Sequence, residues 1–185
     1  MFMTDNYGTS GGEASIPLRE LALLCGQVHA EVMRVVPQLS KLSEDALMER
    51  ATADLAKLRS RERLTDGEME QLLDVLRVIR TDASPREKFE QVDQTLQQMK
   101  TSLVSPAALV IASIAADSSR GQAKRLEEGD LAEVSGSDVA VTAADVVGGI
   151  AGVFVGDELC GLPCGILGGV AGAAGASLLA QEVLR

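Results

Sequence analysis

The stretch "ELCGLPCGILGGVAGAAGASLLAQ", residues 158–181, decides the fold, because glycine and alanine stand where an ordinary apolar helix carries leucine. From Leu159 to Ala180 it runs without a charge. Pro163 lies where a turn or a second helix start belongs, since its fixed φ suits a first helical turn and its missing N–H does no harm there. Upstream, Val139 to Gly156 is apolar apart from Thr142 and Asp145, and Asp157 and Glu158 interrupt. The pattern predicts a helical hairpin with arms at roughly 138–156 and 163–184.

Small residues recur along both arms at steps of four. Ala144, Gly148, Gly152 and Gly156 form a row in the first arm, and Gly165, Gly169, Ala173 and Ser177 form one in the second. A neighbouring row, Gly168, Gly172, Ala176 and Ala180, runs beside the latter. At 3.6 residues per turn such a row is a ridge without side chains, on which another helix backbone can lie close: a glycine zipper. About nine helical glycines, each costing roughly 0.8 to 1 kcal/mol against alanine, sum to about 7 to 9 kcal/mol, comparable to a domain's whole stability. Dense backbone packing has to offset that cost, either in a protein core or in a bilayer.

A bilayer fits the hairpin poorly without a trigger. Cys164 to Ala180 as a helix reaches about 25 Å against a hydrocarbon core of about 30 Å. Asp145 costs roughly 3 kcal/mol near a membrane centre, and Asp157 and Glu158 at the tip have to cross or take up protons. Asp145, Asp157 and Glu158 are therefore candidate pH-sensitive residues for acid-promoted insertion.

Outward from the hairpin, the chain reads as amphipathic helices. From Pro17 to Val36, Leu21, Leu24, Cys25, Val28, Val32 and Val35 mark one helical face, with Pro37 as its stop. A helix from about Ser43 to Arg63 turns Leu47, Ala51, Leu55 and Leu58 inward. "TDGE" (65–68) and "SPRE" (84–87) are capping boxes that open two more helices. In the second of these, Phe89, Val92, Leu96, Met99 and Leu103 form a heptad-like seam that wants a partner. "AALVIASIAA" (107–116) is apolar almost all round, as a buried helix is. The polar, Gly- and Ser-bearing residues 118–137 read as a connector, which gives a tail over 1–14, a bundle over 15–117, the connector, and the hairpin over 138–185.

Composition limits the function classes. Aromatic residues are 2% of the 185-residue chain, so its interior is built from Leu, Val, Ile, Met and Ala, which favours close-packed helices. A net charge of -10, with no Lys or Arg between Arg125 and Arg185, repels phosphate and argues against nucleic acid as a partner. The N-terminal tail lacks the basic and apolar regions of a signal peptide. An odd cysteine count suits a reducing compartment. The expected location is thus cytoplasmic as synthesised, with membrane association or export without a cleaved signal as later steps.

Candidate chemistry is sparse. Cys160 and Cys164 flank Pro163 and could form a redox-sensitive staple, but two small apolar turn residues are the simpler reading. Zinc needs more ligands, and the sole histidine, His29, is far away in sequence. His29 and Cys25, four residues apart on one helix, lack a third partner for nucleophilic catalysis. Neither a cofactor, a metal site nor an enzymatic activity is expected.

The second arm, "GLPCGILGGVAGAAGAS", resembles the pore-forming domain of colicins, whose hairpins often carry a Gly-x-Pro-x-Gly-Ile-x-Gly turn; the match falls on Gly161, Pro163, Gly165, Ile166 and Gly168. It is similar, more loosely, to other bacterial glycine-zipper proteins. The colicin resemblance implies a helical bundle that inserts its hairpin and opens a channel. Absent here are tryptophan, an aromatic-rich helix before the hairpin and a cationic flank. Two functions compete: conditional membrane insertion of pore-forming or bacteriocin-like type, and a soluble helical scaffold or interaction protein whose hairpin packs in its own core or against a partner. Membrane lipid, partner helices and further copies of the chain are the expected partners.

Overall fold

A computed structural model describes residues 18–39, 41–102, 104–128 and 136–183, and the proposed tail over 1–14 lies outside them. Seven helices make up the described residues: α1 (Leu18–Leu39), α2 (Glu44–Ser60), α3 (Asp66–Ile79), α4 (Pro85–Thr101), α5 (Pro106–Glu127), α6 (Gly136–Cys160) and α7 (Leu162–Val183). The chain is all-α, and its last two helices pack closely as a hairpin.

Local chemistry sets the helix starts. Ser43, Thr65, Ser84 and Ser105 each sit in extended backbone and accept a hydrogen bond from an amide in the first turn. Thr65 with Glu68 and Ser84 with Glu87 form complete capping boxes. Glu68 does more than cap: one carboxylate oxygen accepts from the Thr65 amide at 2.6 Å, and the other accepts from the Ser105 amide at the start of α5. Burial pushes the Glu68 carboxyl up, but these amides and the Thr65 and Ser105 hydroxyls outweigh it and hold it below its ordinary value. Lys88, nearly buried on α4, donates to the Ile79 carbonyl at the end of α3.

Three boundaries differ from the sequence expectation. Pro37 lies inside the last turn of α1, which continues to Leu39 because Val36 and Leu39 are both buried in the core. α5 runs on to Glu127 through the stretch read as connector, held by the burial of Ser119, Gln122 and Ala123, with Lys124 and Arg125 favourably placed at its C-terminus. α6 likewise passes Gly156 and keeps Asp157 and Glu158 helical up to Cys160.

α6 is the axis of the molecule. Every residue from Asp145 to Asp157 is buried, beneath α7 on one side and α1, α2, α3 and α5 around the rest. A helix apolar on all faces demands this position. Around it the amphipathic helices contribute Val28, Val32 and Val36 from α1, Leu55 and Leu58 from α2, and Ile111 and Ala115 from α5. The heptad-like seam of α4 buries Val92, Leu96 and Met99, and α4 packs chiefly against α5, with α3 also in contact; Leu103 lies outside the described residues.

Candidate functional site

The hairpin interior is a contact between backbones. A methyl group added to Gly152 would fall on the Gly168 carbonyl, and one on Gly168 would fall on that of Gly152. Gly172 stands in the same relation to Gly148, where a methyl group would lie 2.6 Å from the Gly172 oxygen and from the Ala176 Cβ. At Gly156 it would meet the Cys164 carbonyl. The row that meets α6 is therefore Gly168, Gly172 and Ala176. Gly165 sits at its edge, with a would-be methyl 3.0 Å from the Val153 carbonyl. Gly169 instead faces the side chains of Val153 and of Val110 on α5. Ala144 and Ala173 are half-buried, and the Ser177 side chain lies outside those described.

Two glycines outside the expected rows bring in the rest of the bundle. Gly149 receives Ile114 of α5, and Gly175 receives Met33 and Val36 of α1. The missing side chains thus admit neighbours on several faces of the hairpin.

At the tip the chain reverses through Gly161 alone, whose φ of +79° is open to glycine at no steric cost. Cys160 ends α6, Cys164 lies in the first turn of α7, and the two are joined by a disulfide with Cα atoms 5.6 Å apart. Of the two readings of this pair, the arrangement is that of the staple: a one-residue turn brings the two Cα atoms to a separation that a disulfide spans.

The tip acids are clasped by arginines that lie more than ninety residues earlier in the sequence. Arg63 Nε donates to Asp157 Oδ1 at 2.7 Å, and Arg61 lies 3.7 Å from the other oxygen. Arg61 also donates to Glu158 at 2.7 Å. The Asp157 side chain is 3% exposed. Phe154, one turn earlier, carries Lys57 and Arg61 over its ring at 4.8 and 4.9 Å.

The arginines are aimed by the way α2 ends. Arg63 donates its amide to the Leu58 carbonyl and Glu62 donates to Arg59, a Schellman closure that puts Glu62 in the left-handed region at φ 59°. A non-glycine residue there is strained, and the strain sits beside the clasp. Asp54, buried on α2, accepts from Arg50 and Lys57 at 2.6 and 3.1 Å.

Asp145, the third candidate acid, is separate from the tip. It lies deep on α6 and accepts from the Ser118 hydroxyl of α5 at 2.6 Å. The clasp was not read from the sequence, although a signal existed: "RSRER" (59–63) alternates arginines, and the tip acids Asp157 and Glu158 have no cation near them in sequence.

Cys25 is half-buried and His29 exposed on α1. No group of three or more His, Cys, Asp and Glu residues converges on a metal position among the described residues. Among the same residues, no helix is long and apolar enough to cross a membrane. No protein-family model matches the chain, nor does any curated protein or solved structure.

Proposed function

We propose that the protein is a non-enzymatic helical scaffold or interaction protein that keeps a glycine-zipper hairpin as its own core. One observation carries this reading: α6 is enclosed along its middle, in backbone contact with α7 and under four amphipathic helices. The glycines that would be costly in isolation are offset here by close packing within the chain. The Arg61–Arg63 clasp adds charge neutralisation at the hairpin tip, where Asp157 and Glu158 lie.

A second reading, conditional membrane insertion in the manner that the colicin resemblance implies, is favoured by the outer face of α7. Leu167 and Val170 are 41% and 60% exposed there, with Leu159 exposed at the tip. Insertion would require Asp157 and Glu158 to leave Arg61 and Arg63.

Vesicle flotation of the parent and of Arg61→Gln/Arg63→Gln, prepared without detergent at neutral and mildly acid pH, tests the pair. The scaffold reading expects both proteins to remain off zwitterionic and anionic vesicles throughout. Flotation with dye release, stronger in the double variant or at acid pH, would overturn it in favour of insertion.

A further inference from the structure

The disulfide at the hairpin tip joins two cysteines in opposite electrostatic settings. Cys160 closes α6, at the negative end of the helix dipole, and Asp157 and Glu158 stand in the same last turn. Cys164 lies in the first turn of α7, at the positive end, where the helix begins with Cys164 and Gly165 donating to the Gly161 carbonyl at 3.1 and 3.0 Å. Arg63 adds a cation at the turn: its Nη2 lies 4.0 Å from the position that a Cβ on Gly161 would take. A thiolate is therefore held better on Cys164 than on Cys160.

Exposure divides the pair in the same sense. Cys160 is half-buried beside exposed Leu159, whereas Cys164 is 2% exposed. An incoming thiol reaches Cys160 first, and the sulfur it displaces is the one whose thiolate the helix start and Arg63 favour. Exchange is fastest with that combination of an accessible attacked sulfur and a stable leaving thiolate.

The turn does not depend on the bond. Its sequence separation of 4 closes only a short loop, which removes little chain entropy. The backbone contact between Gly156 and Cys164 and the 2.7 Å pair of Arg63 with Asp157 hold the tip besides. With the bond open, these contacts keep the two sulfurs near one another, so closure stays intramolecular.

We infer that the hairpin tip is a site of reversible thiol–disulfide exchange with a dithiol, attacked at Cys160 and opened toward Cys164. A thiolate of the dithiol bonds to Cys160 Sγ as the Cys160–Cys164 bond breaks, and Cys164 leaves as a thiolate that takes a proton from water. The second thiol of the reductant loses its proton and attacks the sulfur of its own molecule now bonded to Cys160; Cys160 leaves and is protonated in turn. Two electrons and two protons pass from the dithiol to the pair, and the reductant becomes an intramolecular disulfide. The change is stoichiometric rather than a turnover, and it rests on neither reading of the hairpin's role.

The whole chain carrying Cys25→Ser, so that only the pair reacts, tests it at neutral pH without denaturant. Dithiothreitol is added and removed, glutathione disulfide follows, and thiols are counted by maleimide mass tagging. Both thiols are expected to appear and then to disappear with no glutathione retained, while the circular dichroism stays that of the untreated protein. Reduction that requires urea, loss of helix on reduction, or a glutathione adduct in place of closure would each overturn the proposal. For the direction, Cys164→Ser and Cys160→Ser are made in the same background and treated with glutathione disulfide. Thiolate fraction and nucleophilicity offset one another, so access sets the order, and Cys160 is expected to take up glutathione at least about tenfold faster than Cys164. Equal or reversed rates would overturn it. If either serine variant fails to fold, the reduced Cys25→Ser protein with limiting glutathione disulfide, quenched in acid, replaces it: the transient adduct is expected on Cys160, and an adduct on Cys164 or none would contradict the inference.

Discussion

A methyl group has opposite effects at two glycines of this chain. At Gly121, on the exposed side of α5, it would meet nothing within 4 Å, so Gly121→Ala is expected to stabilise by about 0.5 to 1 kcal/mol through helix propensity. Gly152 is in a helix too, but there the methyl group collides with the Gly168 backbone, which cannot rotate away as a side chain can. Gly152→Ala should destabilise by about 2 kcal/mol or more, despite the same propensity gain. Urea unfolding of the two variants reads both signs. Glu68 gives a third test at this scale, because the backbone amides of Thr65 and Ser105 converge on its carboxylate. Its folded pKa lies below the ordinary 4.5, so its stabilising contribution is complete above that value and is lost as pH falls through the lower folded one. Glu68→Ala should cost about 2 kcal/mol near neutral pH and make the loss of stability below about pH 4.5 shallower than in the parent, as measured by denaturant midpoints across pH.

Among the elements, the end of α2 and the turn of the hairpin are matched parts. The left-handed Glu62 is strained, and Glu62→Gly should relieve about 1 kcal/mol, visible as a raised midpoint in thermal or urea unfolding, because its Schellman closure remains available. A drop in stability would show that the Glu62 side chain holds something the closure does not require. Much of the element pattern was legible in advance. "TDGE" and "SPRE" predict their boxes because capping depends on residues three apart, and the 3.6 periodicity of α1 to α4 is likewise local. The continuation of α5 past Ala116 was not, because burial of Gln122 and Ala123 depends on distant helices, and it overrides their polar and Gly-bearing context. The facing row was ambiguous for a different reason. Gly165/Gly169 and Gly168/Gly172 both rise in steps of four, and a modest rotation about the α7 axis exchanges them, so the choice falls to Val110 and Val153, which occupy the space at Gly169. Arg61 and Arg63 reach the tip across almost a hundred residues, a separation that no local periodicity records.

For the molecule as a whole, the hairpin is the part on which the amphipathic helices close. α6 is buried along its middle, its glycines interlock with α7, and the tip is joined to the end of α2 by arginines and to α7 by the disulfide. Arg61→Gln/Arg63→Gln leaves Asp157 in a buried position without its cations, and a loss of about 2 to 3 kcal/mol in urea unfolding is expected. A further Asp157→Asn should recover much of that loss, since the orphaned charge is then removed; no recovery would assign the arginines a packing role only. These costs would be shared by the entire fold if hairpin and bundle form one cooperative unit. Native-state hydrogen exchange tests that unity most directly. The account expects the α6 amides from Asp145 to Asp157 to exchange only through global unfolding, with the same opening free energy as the core amides of α2 and α5 and the same sensitivity to urea. Exchange of the hairpin amides at a distinctly lower opening free energy, while α2 and α5 stay protected, would contradict it.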